Sequence, residues 1–171
     1  MKEIVGQIIG FIAMAIIVVS YQQKSHKNIL TFQMVSGLLF TIHYLLLGAY
    51  TGAVMNLLGA FRSLVYSSRG KKWASTILWP IVFSIAFLIS GILTWDNAFS
   101  VFPLIAMLMS SVVLWIEQPR INRILSLPTS TCWLIYNIKT VSIPGIITEV
   151  FVLSSIVIGI IRLDIKKKDK K

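Results

Sequence analysis

Seven stretches of this chain are long, apolar and almost free of charge: about residues 4–21, 29–48, 50–67, 74–94, 97–116, 123–138 and 143–162. A helix that crosses a bilayer needs roughly 20 mostly apolar residues, within a range of about 17–25. Seven such runs predict an all-α integral membrane protein with seven transmembrane helices. The sixth run is short and carries Pro128, Thr129, Ser130 and Thr131. Composition agrees. The chain is 56% hydrophobic and only 13% charged, whereas soluble domains hold about 45–50% apolar and about 25% charged residues. One bundle uses up the length and leaves no soluble catalytic domain. The first run is longer than a signal-peptide core and its positive charges follow it, so it reads as a retained helix.

The charges sort by loop. With seven spans, one side receives Lys24, Lys27, Arg69, Lys71, Lys72, Arg120, Arg123, Arg162 and the tail lysines 166, 167, 168, 170 and 171. The other side receives only Lys2 and Lys139. The positive-inside rule then puts the amino end outside and the carboxyl end in the cytoplasm. Acidic residues offset the rest, so the whole net charge of +10 belongs to the cytoplasmic side. The charge is topology and gives no reason to expect nucleic acid. The tail 166–171 is expected to sit on anionic lipid, at about 1 kcal/mol per basic residue. Trp73, Trp95 and Trp115 fall at the expected interfaces, as an aromatic belt would place them.

Polar residues within the runs are the candidates for function. Such groups are costly in hydrocarbon and usually face a bundle interior or a cavity. His43 lies on the second run, Asn56 and Arg62 on the third, Trp133 and Tyr136 on the sixth, and Glu149 on the seventh. Counted along each helix at about 1.5 Å per residue, His43, Asn56, Trp133 and Glu149 share one level, slightly outside the midplane. Arg62 lies about 9 Å nearer the cytoplasmic end and is expected to snorkel there. Small residues form packing rows: Gly6 and Gly10 on the first helix, and Gly52, Asn56, Ala60 and Ser63 on the third. The row Gln33, Ser36, Gly37, Phe40, His43 and Tyr44 does the same on the second.

Other chemistry finds no footing. A single histidine in the membrane is not a metal site, since zinc needs three or four ligands. The lone Cys132 reads as a small buried hydrophobe. The sequence has no Gly-rich phosphate loop, no paired carboxylates and no convincing serine nucleophile. Neither an enzyme nor a bound cofactor is expected.

The chain also repeats weakly. Ser20–Leu30, SYQQKSHKNIL, resembles Trp115–Leu125, WIEQPRINRIL. Ile12-Ala-Met14 recurs as Ile105-Ala-Met107, and Tyr44 with Gly52 matches Tyr136 with Gly145. The offset drifts between 92 and 95. Two triplets of helices, joined by a linker helix, would follow. Domains are drawn at 1–68, 69–96 and 97–165, with the basic tail at 166–171. This 3+1+3 layout of parallel repeats, with Gln23 and Gln118 closing the first helix of each triplet, resembles the PQ-loop and SWEET superfamily. Over its full length the chain is similar to the YgjV-like family of small bacterial inner-membrane proteins. The residues that carry this are Ser20-Tyr-Gln-Gln23, His43-Tyr-Leu-Leu-Leu-Gly48, and Thr51-Gly-Ala-Val-Met-Asn56 leading to Arg62.

The SWEET resemblance implies passage of a sugar-sized polar solute through a central pocket. It implies that Asn56 lines that pocket, with Thr148, next to Glu149, as its counterpart in the second triplet. It also implies a proline hinge in each triplet. Pro119 and Pro128 fit that role in the second, while Gln22-Gln23 stands where the first would have Pro-Gln. The expected function is therefore facilitated transport of a small polar solute. The substrate-binding candidates are Asn56, His43, Glu149, Trp133 and Tyr136. One alternative is a proton-coupled amino-acid or vitamin-precursor transporter, and another is a non-transporting assembly or interaction protein. The expected partners are the bilayer, the solute and anionic lipid, with a homo-oligomer left open.

Overall fold

A computed structural model describes residues 1–23, 25–116 and 118–161. Lys24, Arg162 and the tail lysines, assigned above to the cytoplasmic side, lie outside the described residues. Those residues form seven α-helices and no strand. They are α1 (Lys2–Tyr21), α2 (His26–Leu46), α3 (Tyr50–Ser67), α4 (Leu78–Leu93), α5 (Val101–Trp115), α6 (Pro119–Lys139) and α7 (Ile143–Gly159). Three stretches are long and apolar enough to cross a membrane: Lys2–Ser20, Lys27–Leu46 and Ala98–Trp115. Leu78–Leu93 and Ile143–Gly159 are shorter apolar helices.

Local chemistry sets the ends. Ser25 caps α2 by accepting the Asn28 amide at 3.1 Å, and Ser142 caps α7 by accepting that of Gly145 at 3.3 Å. Such caps satisfy donors that the first turn leaves open. The fourth and fifth runs begin later than their apolarity suggests. Each opens with a 3₁₀ turn, over Lys72–Ala74 and Ala98–Ser100. Pro80 and Pro103 then sit at the third helical position, where no amide hydrogen is needed. The sixth run gives a helix of 21 residues, longer than expected. Pro128 interrupts its ladder. The hydroxyls of Thr129 and Thr131, just after the proline, bond back to the carbonyls of Leu125 and Leu127, just before it.

Helix α2 packs on both α1 and α3, and α6 on both α5 and α7. Helix α4 lies against α3 and α5, while α1 touches α7 and α3 touches α5. The start of α1 and the turns α2–α3, α4–α5 and α6–α7 meet around one hollow lined by Glu3, Gly48, Asp96 and Val141. The helices therefore run alternately up and down. At the opposite end the Arg69 guanidinium stacks 4.0 Å from the Trp115 ring and donates to the Trp115 carbonyl at 2.9 Å. The two ends are called here the Gly48 face and the Arg69 face. Lys27, Arg69, Lys71, Lys72, Arg120 and Arg123 flank helix ends of the Arg69 face, and Lys2 and Lys139 those of the Gly48 face. Ile8, Phe61, Ile85, Ile89 and Phe151 are among many large apolar side chains left exposed on the outside. Such a surface suits lipid rather than water.

The turns α2–α3 and α6–α7 are built alike. In the first, the amides of Leu47, Gly48 and Ala49 donate to His43, Leu45 and Tyr44 at 3.1, 3.2 and 2.9 Å. In the second, those of Thr140, Val141 and Ser142 donate to Tyr136, Ile138 and Asn137 at 3.0, 3.3 and 2.9 Å. Every pair is offset by 93 residues. The left-handed residue falls at Gly48 (φ 71°) and at Val141 (φ 53°). It is the usual way to turn out of a helix and satisfy its last carbonyls. This register pairs Asn56 with Glu149, one residue on from the Thr148 expected from the sequence match.

Candidate functional site

Between the helices lies a cavity of about 420 Å³. Its wall extends on α7 from Gly145 to Ile156, roughly 16 Å by the helical rise. Near the Arg69 face it reaches the first turns of α2 and α6, at Ile29 and Asn122, and the end of α5, at Leu114. Near the Gly48 face it stops at Tyr44 and Asn137. There the Tyr44 hydroxyl donates to Asn137 Oδ1. Trp133 stacks on Tyr44 with ring centroids 6.1 Å apart, and Tyr136 packs edge-on to Trp133. The Tyr136 hydroxyl accepts the Gly52 amide hydrogen at 2.9 Å. On the far side of this aromatic layer lies the second hollow, about 430 Å³.

Close backbone contact makes this layer possible. A Cβ on Gly52 would stand 2.6 Å from Tyr136 Cε1, well inside van der Waals contact. The hydrogen at this position lets α3 come against the Tyr136 ring. The orphan amide in the first turn of α3 then finds the tyrosine oxygen. Gly10 does the same for α1, since a Cβ there would meet Pro144 Cγ at 2.5 Å and His43 Nδ1 at 2.7 Å.

The five residues singled out in the sequence separate into two groups. Asn56, Trp133 and Glu149 line the cavity. Asn56 is half-buried, and its Nδ2 donates to the Gly52 carbonyl at 2.9 Å. Glu149 is half-buried on α7, with the Ser130 hydroxyl of α6 at its carboxyl. His43 and Tyr136 do not border this cavity. Tyr136 belongs to the aromatic layer and to the hollow beyond it. His43 is fully buried between α1, α2 and the start of α7. Its Nδ1 lies 2.7 Å from the Gly6 carbonyl and its Nε2 2.7 Å from Ser142 Oγ. A carbonyl only accepts, so Nδ1 carries the hydrogen. Ser142 accepts from Gly145 and donates to Nε2. Both ring nitrogens are thus used in holding helices together.

Arg62 is placed otherwise than expected. It does not snorkel to the Arg69 face and is 5% exposed. Nη1 donates to Ser110 Oγ at 2.7 Å, to Ser111 Oγ at 3.0 Å and to the Met107 carbonyl at 3.3 Å. The reason is directional. Helical side chains lean towards the amino end of their own helix. Since α3 runs from the Gly48 face to the Arg69 face, Arg62 leans inward, to where α5 offers three oxygens. Phe87 covers its guanidinium, with Cζ 5.4 Å from the ring centroid.

Several cavity groups were not singled out from the sequence. They include Ser110, Asn122 and Asn137, whose residue types say nothing of direction. Asn137 had one usable signal, its place 93 residues after Tyr44. Among the described residues no group of three or more metal-ligating side chains comes together.

The arrangement defines an integral membrane protein of packed apolar helices, with a cavity in the bundle that several polar side chains border. The chain belongs to the Imp-YgjV family, described as bacterial inner membrane protein, which it matches over residues 4–167. Neither a curated protein nor a solved structure matches it. Its place in the bacterial inner membrane follows from the family and fits the apolar exterior.

Proposed function

We propose that this protein is a small-solute transporter, and that a polar, sugar-sized solute passes along the cavity that holds Asn56 and Glu149. The observation that carries the reading is the shared cavity itself. Its volume of about 420 Å³ lies within the roughly 300–1,000 Å³ of small-molecule sites. Polar atoms from both halves of the chain face it, inside a bundle whose exterior is apolar. Parallel repeats with a site at their interface are a known transporter design, and the matching turns at an offset of 93 residues support that design here. In this reading all seven helices cross the membrane. They form a 3+1+3 SWEET-like arrangement, and by the positive-inside rule the amino end is outside and the basic tail is in the cytoplasm, on anionic lipid. The cavity then opens towards the cytoplasm, and the layer of Tyr44, Asn137, Trp133 and Tyr136 closes it from outside. Passage requires that layer to part.

Uptake into proteoliposomes by the purified full-length protein tests this. A panel of sugars, amino acids and vitamin precursors should contain at least one solute with saturable flux. Folded protein with no flux for any member rejects transport and leaves the assembly or interaction role. A second reading is favoured by one observation, that Glu149 is the only carboxylate among the described residues on the cavity wall. Proton-coupled transport would then lose its response to a pH gradient in Glu149→Gln while keeping exchange.

A further inference from the structure

The cavity wall carries an arginine, Arg62, and a carboxyl group, Glu149, that are not paired with each other. Arg62 is fixed to the α3–α5 wall through Nη1 alone. Its Nε is buried and has no hydrogen-bond partner among the described residues. No bond from Nη2 to a described residue completes the fork either. Nε is closed to solvent, so Nη2 is the donor that a carboxylate in the cavity can reach. A buried donor without an acceptor costs about 1–3 kcal/mol, more when charged, so a guanidinium held this way lacks a partner. Glu149 is fixed to the other wall, on α7, with Ser130 of α6 beside its carboxyl. Near the Arg69 face Asn122 Oδ1 is also buried without a donor.

We infer that the cavity binds a zwitterionic, amino-acid-like solute, with its carboxylate on Arg62 and its ammonium group on Glu149. The inference rests on the transport reading for its purpose, but binding can be measured separately. A neutral sugar would leave the Arg62 charge uncompensated inside the bundle and offer the Glu149 carboxyl no cation. A simple anion would satisfy only the arginine. A zwitterion neutralises both walls at once and adds no net charge to the bilayer interior, which is what a path through hydrocarbon requires.

The test uses the full-length protein and reads binding by the fluorescence of Trp133, against a Trp133→Phe control, alongside flux in proteoliposomes. The probes are free L-amino acids of several sizes, their N-acetyl and C-amide forms, and glucose. Free amino acids should bind, and each capped form should bind at least about tenfold more weakly, as for the loss of one charged hydrogen-bonded contact. Glu149→Gln should narrow the gap between free and N-acetylated solute. Arg62→Gln should narrow that between free and amidated solute. If Arg62→Gln does not fold, the isosteric Glu149→Gln carries the test. Capped forms that bind as well as free ones overturn the inference, as does an unchanged preference in folded Glu149→Gln. Glucose flux with no binding of amino acids overturns it and leaves transport standing. Amino-acid binding without flux of any solute does the reverse.

Discussion

The turns α2–α3 and α6–α7 share a hydrogen-bond pattern but not the means of holding it. The first relies on Gly48, which adopts φ 71° with nothing within 4 Å of a would-be Cβ. The second forces the β-branched Val141 to φ 53°, a conformation that costs an L-residue roughly 1–2 kcal/mol. It is kept there from outside. Gln7 of α1 donates from Nε2 to the Val141 carbonyl at 2.7 Å, and its Oε1 accepts the Ile143 amide hydrogen at 3.2 Å. His43 adds a second tie through Ser142. One turn is thus stable by its own residues, while the other is held by contacts from α1 and α2. Through these contacts α1 and α2 grip the start of α7, the helix that carries Glu149.

The largest effect should come from cutting that grip. His43→Ala removes two buried hydrogen bonds and leaves the Gly6 and Ser142 partners facing a void. A loss of about 2–4 kcal/mol is expected, read as a fall in the midpoint of thermal unfolding in detergent. At the equivalent position Tyr136→Phe removes only a hydroxyl and should cost about 1 kcal/mol. Equal losses would mean that the two halves are joined symmetrically. Next, Gly52→Val should destabilise by roughly 1–3 kcal/mol through overpacking against Tyr136. Gly52→Ala should cost less, and an unchanged melting midpoint in both would place α3 and α6 farther apart than here.

The turns themselves give the third comparison, with opposite signs. Gly48→Val should destabilise by about 1–2 kcal/mol, because only backbone conformation is at stake there. Val141→Gly should be neutral or stabilising by up to about 1 kcal/mol, since relief of strain competes with the freedom glycine gains in the unfolded chain. Gln7→Ala should cost about 1 kcal/mol in the natural chain and less when combined with Val141→Gly. Additive losses would show that Gln7 does not support the strained turn.

Much of this molecule could be read from its sequence. Apolar runs mark the helices, with the 3₁₀ turns at Lys72–Ala74 and Ala98–Ser100 the main departure. Gly6 and Gly10 point to close packing, which Gly10 realises against Pro144 and His43. Asn56 and Glu149 could be read as sharing a level, because helical rise fixes depth. Direction was harder. The sequence marks His43 as a lining residue, yet its two nitrogens meet oxygens of α1 and of the α7 cap, and no single-helix pattern encodes that. The position of Arg62 along its helix predicts snorkelling to the membrane surface. The three α5 oxygens that hold it are far away in the chain. The repeat was visible as a drifting offset of 92 to 95, and only the backbone bonds of the two turns fix it at 93 there.

The central claim is that Asn56 and Glu149 face one water-filled space. Thiol labelling measures it directly. Single cysteines replace Asn56 and Glu149, in turn, in a chain whose Cys132 is changed to Ala, and Ser142→Cys serves as a buried control. A small charged maleimide or methanethiosulfonate is then applied to inverted and right-side-out vesicles. Both cavity positions should react, faster from the side of the Arg69 face, while position 142 should stay protected. If neither cavity position reacts from either side in folded protein, there is no wetted space between the helices, and the account fails.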